Sequence, residues 1–388
     1  MSENIISAAE NYSAELDRVL VAKSATAFFA DNALRTKFVG AKTVMIPDVA
    51  FEGLADYDRK KGFLEGAVNV GHKTYTMAMD RARSFSVDRE DMDETGIASL
   101  AGKILGEYVR TKVVPECDAY VISKIAKTAR ECGNKIVSDS LCEAYSNFTE
   151  LVGQVQNAVG YDEEIVCFVD STAYSALCAS DEFARMITVS DFKQGELILK
   201  VKKINGVTII PVVSERMRSI YNFDEKNDGN IITFSQIHML ALPKSAAQLV
   251  KKTEKMRVFT PEQNTNADAY KFDYRIYYDV FVKDSAREAI WIWESSDISF
   301  SDGTSDFEIE KGNTIDIAFD ISISNGASYS CEWYQCEGTT RRGAKLIQSQ
   351  GDMLSHVETV PGTYYYYCKI KVAGVAPIYG KIHTITVI

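Results

Sequence analysis

The sequence predicts an α+β chain, stretched out rather than globular, that ends in an all-β module. Three stretches carry that expectation: one very long helix, one unusually long alternating strand, and a C-terminal run of short strands broken by turn residues. Each follows from where apolar side chains recur along the chain.

The helix comes first. Apolar residues recur at Ile97, Leu100, Ile104, Leu105, Tyr108, Val109, Val113, Cys117, Tyr120, Val121 and Ile125. Three-to-four spacing places them on one helical face. Asp93 or Thr95 is suited to cap the start, since a short side-chain oxygen accepts the free N–H groups of a first turn. Pro115 removes one backbone hydrogen bond and is expected to bend the rod without breaking its stripe. One bent helix of roughly 35 residues is about 50 Å long, more than a compact domain requires.

The long strand is read from strict alternation. Tyr270, Phe272, Tyr274, Ile276, Tyr278, Val280 and Val282 alternate with Lys271, Asp273, Arg275, Tyr277, Asp279, Phe281 and Lys283. A period of two predicts one buried face and one mostly wet face over roughly 40 Å.

The remaining elements fall between these two. Residues 1–37 predict a helical arm with Tyr12, Leu16, Val19 and Leu20 on one face, followed by Phe28 and Phe29. Such an arm packs either on its own core or on a neighbour. Residues 40–80 predict a hairpin: a strand stopped at Pro47, a polar and glycine-rich tip at 52–63, and a strand from His72 to Asp80. The tip is too polar to form a core of its own, so it is either disordered or supported by another molecule. Residues 135–250 predict a compact α/β unit. It has a helix from Phe148, a buried strand at 165–169, a helix capped by Ser171, and a strand over 231–242. Asn205-Gly206 suits a type I′ turn between two strands. Residues 251–293 hold the long strand and its neighbours. Ser295-Ser296 reads as a short polar joint. Beyond it, strands at 307–310, 314–324, 329–335, 344–349, 353–358, 363–372 and 378–388 have the spacing of a β-sandwich.

Composition excludes several functions. The 388-residue chain is 46% hydrophobic and carries a formal net charge of -11. Bulk attraction to nucleic acid needs the opposite sign. The start MSENIISAAENYSAELDR lacks the basic end and apolar core of an export signal. No stretch is apolar enough to span a bilayer. Eight cysteines are scattered without paired spacing, as expected for reduced, buried thiols.

Chemistry-bearing patterns are few. His72, His238, His356 and His383 lack metal-ligand spacing to one another or to carboxylates. No glycine-rich phosphate loop, nucleophile elbow or Cys–His constellation is visible. The expectation is therefore no metal, no cofactor and no enzymatic activity. Asp88, Glu90, Asp91, Asp93 and Glu94 form an acidic run, read as a solvated helix start favoured by the helix dipole or as a divalent-cation site. Lys251, Lys252, Lys255 and Arg257 form a basic patch that faces phosphate or the acids of a neighbouring subunit, the second being preferred. Tyr364 to Tyr367 read as a sandwich strand with alternate tyrosines inward, or as a carbohydrate platform.

Several segments resemble the major capsid proteins of tailed bacteriophages: GLADYDRKKGF (53–63), DRARSFSVDREDMDET (80–95), EYVRTKVVPECDAY (107–120), INGVTIIPVVSERM (204–217) and RVFTPEQNTNADAYKFDYRIYYDVFV (257–282). The resemblance covers residues 38 to about 292. It implies the Hong Kong 97-like capsid fold. In that scheme 1–37 is an N-terminal arm and 38–294 the capsid domain. Within the latter, 40–80 is the extended loop, 94–131 the spine helix, 135–250 the axial domain and 251–293 the peripheral strands. The resemblance implies hexamers and pentamers in an icosahedral shell around double-stranded DNA, contacted non-specifically. It also implies scaffolding and portal partners, assembly in the host cytoplasm, and no membrane. Asp56, Tyr57, Arg59 and Phe63 at the loop tip, with Lys251 and Arg257, become candidates for subunit contacts.

Residues 297–388 resemble a bacterial immunoglobulin-like domain: Trp333 lies in the third main strand, and Gly362-Thr363-Tyr364 with Tyr366 and Cys368 resembles a tyrosine-corner strand. Cys331 points as Trp333 does, so no intersheet disulfide is expected. The implied role is outward attachment to a host surface or glycan, or reinforcement of the shell. The alternatives are an encapsulin-type compartment shell and a secreted adhesin.

Overall fold

The computed structural model describes residues 24–33, 37–40, 42–51, 57, 68–89, 106–186, 188–194, 197–221, 232–303, 306–341 and 343–388. The architecture is α+β, with few helices and several sheets. The chain divides into two compact units. One comprises 1–117, 193–199 and 247–283; the other comprises 118–192, 200–246 and 284–388.

The first unit is organised by the long strand Ala269–Val282. It is the centre of a three-stranded antiparallel sheet, between Ala247–Phe259 and Met79–Asp88. Alternation holds as expected from Lys271 to Ile276. From Tyr277 to Phe281 both faces are buried, which corrects the expectation of a continuous wet face. The reason is a second cluster: Tyr277 and Phe281 pack with Val44, Ile46, Met77 and Val250. On the opposite face Phe272 is fully buried, a gain of roughly 1.5–3 kcal/mol for such a side chain. The Tyr108 ring lies tilted against that of Phe85 at 5.3 Å and edge-on to that of Tyr274 at 6.0 Å, so this part of the helix covers the face.

The strands of the hairpin reach further toward its tip than the sequence suggests. Its strands are Thr43–Phe51 and Val68–Thr76, in register from Thr43 opposite Thr76 to Phe51 opposite Val68. Pro47 does not stop the strand. Among the described residues the outer neighbour Lys37–Val39 pairs only as far as Met45, so no described strand asks Pro47 for a backbone donor on that edge. The expected strand from His72 to Asp80 is in fact two. The chain breaks at Met77-Ala78 and re-enters the other sheet as Met79–Asp88. Buried Asp279 holds this crossover by accepting the Ala78 N–H at 2.8 Å. Phe28 and Phe29 are both fully buried. Tyr12, Leu16, Val19 and Leu20 lie outside the described residues.

Among the described residues the long helix runs as a π-helical turn, Val109–Val113, followed by an α-helix, Val114–Cys132. The Val114 N–H bonds to the Val109 carbonyl, five residues back. The wide turn sits just before Pro115, which has no N–H to give and would crowd the carbonyl four residues earlier in a regular helix. The stripe keeps its phase across it: Val109, Val113, Cys117, Val121 and Ile125 are all buried. Asp93, Thr95, Ile97, Leu100, Ile104 and Leu105 lie outside the described residues.

A mixed sheet runs in the order Lys135–Val137, Trp291–Glu294, Ile237–Pro243, Ile165–Asp170, Val207–Val212, Leu197–Ile204 and Thr188–Gln194, most of it in the second unit. The helix Ala144–Val159 packs Phe148, Leu151 and Val155 against Cys167, Val169 and Trp293. Asn205 and Gly206 adopt positive φ of 49° and 83°, the geometry of the expected tight turn. The cap of helix Ser171–Ala179 is Asp170, not Ser171: its carboxylate accepts the Ala173 N–H at 2.6 Å. Ser171 instead accepts the Ser214 N–H at 3.2 Å.

The strand expected over 231–242 also divides. Ile237–Pro243 stays in the mixed sheet, while Ile232–Phe234 pairs with Ile298–Asp302 in a four-stranded sheet with Thr314–Ile323 and Met353–Val357. The facing sheet contains Phe307–Ile309, His383–Val387, Gly362–Val372, Tyr329–Cys336 and Lys345–Gln348. Between them lie Phe234, Ile317, Phe319, Trp333, Tyr366 and Ile370. Tyr364 donates to the Val360 carbonyl at 2.9 Å, a tyrosine-corner contact. Tyr364 and Tyr366 belong to this core, whereas Tyr367 stacks on Tyr334 at 5.4 Å. Cys331 and Cys368 are buried free thiols.

Candidate assembly surface

The first unit carries two surfaces suited to contact. One is the hairpin. Its base is fixed by Val44, Ile46 and Met77 and by Tyr75, whose ring lies 4.9 Å from that of Phe281. Further out, residues 71–74 are exposed, and Tyr57 beyond them is 60% exposed. Asp56, Arg59 and Phe63 lie outside the described residues.

The other is the wet face of the three-stranded sheet, which forms a shallow cavity of about 750 Å³. Seven cationic side chains and two carboxylates line it. Strand register explains the clustering. Lys255 lies opposite Arg275, Arg257 opposite Asp273, and Ala82 opposite Arg275 on the other side. Residues distant in sequence thus share one face. Arg275 grips Asp80 with two hydrogen bonds, Nε to Oδ1 at 2.9 Å and Nη2 to Oδ2 at 2.6 Å. That grip holds the Asp80 carboxyl below its ordinary pKa. Lys271 lies 3.7 Å from Asp273.

The two basic candidates differ. Lys251 is half-buried and pairs with Glu254 at 2.9 Å. Glu254 also accepts a 2.8 Å hydrogen bond from Tyr274. Burial first, and Glu254 second, push the Tyr274 phenol up. Arg257 is exposed on the cavity side. The sequence singled out Lys251, Lys252, Lys255 and Arg257 as a patch. It missed that Lys42, Arg83, Lys271 and Arg275 join the same cavity. The only signal was the alternation of Lys271 and Arg275 in the long strand, and pairing partners are not written there.

Buried charges in the second unit are spent on architecture. Asp118 pairs with Arg216 at 3.2 Å, Glu294 with Arg130 at 2.7 Å, and Asp170 caps a helix. Among the described residues no group of three or more His, Cys, Asp or Glu side chains is placed to hold a metal ion. No described helix is long and apolar enough to cross a membrane.

No family model and no curated protein matches the chain. Solved structures do. The capsid structure of the cyanophage P-SCSP1u matches with a TM-score of 0.43 and 14% identity, over 67% of this chain and 85% of that one. The mature capsid of bacteriophage PhiM1 matches with a TM-score of 0.42 and 11% identity, over 66% and 82%. The capsid of the myovirus XM1 matches with a TM-score of 0.36 and 10% identity, over 66% and 86%. The chain is similar to phage capsid proteins.

Proposed function

We propose that the chain is a structural, non-catalytic subunit that assembles with copies of itself into the icosahedral shell of a tailed phage around double-stranded DNA. The observation that supports this most is the hairpin of two nine-residue strands. It is anchored by a small apolar cluster at its base, and residues 71–74 and Tyr57 further along it are exposed. An element so built gains its remaining burial from another molecule. Asp56, Tyr57, Arg59 and Phe63 at the tip are proposed to make that contact. The resemblance of residues 38 to about 292 to major capsid proteins points the same way.

On this reading a closed shell arises from repeated heterologous contacts whose geometry closes. Portal and scaffolding proteins are proposed partners, and DNA is held without sequence preference. Residues 297–388, an immunoglobulin-like sandwich on this reading, serve for outward attachment or reinforcement. Assembly takes place in the host cytoplasm.

Negative-stain microscopy of the purified chain tests the proposal. Hollow particles of uniform diameter, or hexameric and pentameric rings, are expected. Monomers at every salt concentration tried overturn it.

A further inference from the structure

We infer that the basic cavity on the three-stranded sheet is a docking surface for a carboxylate-bearing segment of a second copy of this chain; the inference rests on the shell reading above. Its first support is an unfavourable pairing. Lys255 and Arg275 lie directly opposite one another on adjacent strands, where like charges destabilise a sheet. Asp80 offsets Arg275, but Lys255 and Arg257 carry no ion pair among the described residues. Both are exposed. A docked anion relieves that repulsion.

The opposite face of the sheet is already used: Tyr108 at the start of the helix packs there against Phe85 and Tyr274. The cationic face, with its cavity of about 750 Å³, has room for a polypeptide segment.

Charge identifies the occupant. The chain has 54 acidic and 43 basic residues, so a surface with seven cations and two carboxylates is locally opposite to the chain as a whole. In an assembly of identical copies, the carboxylates of other copies are the anions that face each surface whether or not nucleic acid is packaged. A phosphate polymer fits less well. Asp80 and Asp273 keep 41% and 34% of their side chains exposed within the same face, and a duplex carries one charge per roughly 1.7 Å of its axis. It would be driven onto both carboxylates. A polypeptide can set single carboxylates beside Lys255 and Arg257 and leave the two aspartates unopposed.

The test uses particles assembled from a mixture of natural-abundance and ¹⁵N-labelled full-length chains. A carbodiimide joins amines to carboxylates already in contact, and mass spectrometry separates same-copy from mixed-copy products. Lys255 joined to an Asp or Glu of a differently labelled copy is expected. Independently, K255E/R257E is expected to lower particle yield about tenfold at moderate salt, because reversed charges now face carboxylates. R257K, which keeps the charge, is expected to assemble as wild type. Both side chains are exposed, so an unchanged melting temperature shows that the reversal variant is folded; K255Q/R257Q serves if it is not. Wild-type yield from the reversal variant, together with Lys255 of the wild-type chain linked only within its own copy, overturns the inference while leaving the shell reading intact. Unchanged assembly together with lost binding to a labelled DNA duplex overturns it in favour of nucleic acid. A wild-type chain that never assembles overturns the shell reading and the inference with it.

Discussion

Arg130, near the end of the long helix, donates a 2.7 Å hydrogen bond to Glu294, a residue 164 positions away at the end of a sheet strand. The Glu294 side chain is 2% exposed, and Lys135 lies 3.4 Å from its other oxygen. Ser235 donates to the same oxygen as Arg130, at 2.8 Å. One carboxylate therefore ties the helix, the sheet edge and the point where the strand 232–243 divides. Removing one partner of a buried pair costs about 3–5 kcal/mol, because the other charge stays behind. Arg130→Ala leaves Glu294 beside only half-exposed Lys135. Because Lys135 and Ser235 still face the carboxylate, the unfolding free energy of the unassembled chain is expected to fall by up to that amount, read as a lower urea midpoint with an unchanged slope. Glu294→Gln, which keeps the shape and an acceptor, is expected to cost less.

Truncation tests the divided strand. Ile232–Phe234 pairs only with Ile298–Asp302 among the described strands, and Phe234 is 3% exposed. Gln236 ties in the same region: its side chain donates to the Ser214 and Met217 carbonyls at 2.9 and 2.8 Å and accepts the Ala376 N–H at 3.4 Å. A chain ending at residue 296 leaves an apolar strand edge without its partner, the arrangement that promotes aggregation. Increased binding of a hydrophobic dye and a lower melting temperature than the full chain are expected. Equal dye binding and melting would show that the strand is dispensable.

What the sequence revealed depended on whether the signal was local. The alternation of Tyr270 to Ile276, the stripe through Val109 and Ile125, and the Asn205-Gly206 turn are all written within a few residues. The split at Ser235-Gln236 is not: both halves read as strand, and only the choice of partner, at 292 or at 298, separates them. The break at Met77 is similar, since it depends on an acceptor at Asp279. The Pro47 strand was read as stopped because proline lacks a donor, yet a donor is needed only where a neighbour exists. The basic cavity was half-visible. Lys251 to Arg257 are adjacent, but Arg83 and Arg275 arrive through register.

Acid should loosen the contacts of Asp139. Its carboxylate accepts the Ser296 N–H at 2.9 Å, the Ser296 hydroxyl at 2.6 Å and the Asn325 amide at 2.6 Å. Burial pushes its pKa up, but together these hydrogen bonds outweigh it and leave the carboxyl below its ordinary value. With the folded pKa below the unfolded one, the stabilisation is complete above about pH 4 and is lost as pH falls through the lower folded value. Asp139 is exposed enough for solvent screening to limit the effect to about 1 kcal/mol. Stability measured from pH 6 down to 3 is expected to fall less steeply in Asp139→Asn than in wild type. Identical slopes would show that the carboxylate contributes nothing.

Asp279 governs how the hairpin leaves the sheet. It is fully buried, and its two oxygens accept the Ala78 and Val280 N–H groups, each at 2.8 Å. The first bond fixes the turn between Thr76 and Met79 and so sets the direction of both strands that meet there. An alanine at this position would free the exposed Ala78 N–H to solvent and leave the buried Val280 N–H without its side-chain acceptor, the latter at about 1–3 kcal/mol. An asparagine can still accept from Ala78 through its oxygen. Asp279→Ala is therefore expected to speed amide exchange at Met77 and Ala78 and along Val68–Thr76, while Phe272 and its neighbours in the long strand stay protected. Asp279→Asn should exchange close to wild type. If the two variants behave alike, the hairpin is held by the packing of Met77, Tyr277 and Phe281, and the hydrogen bond is incidental.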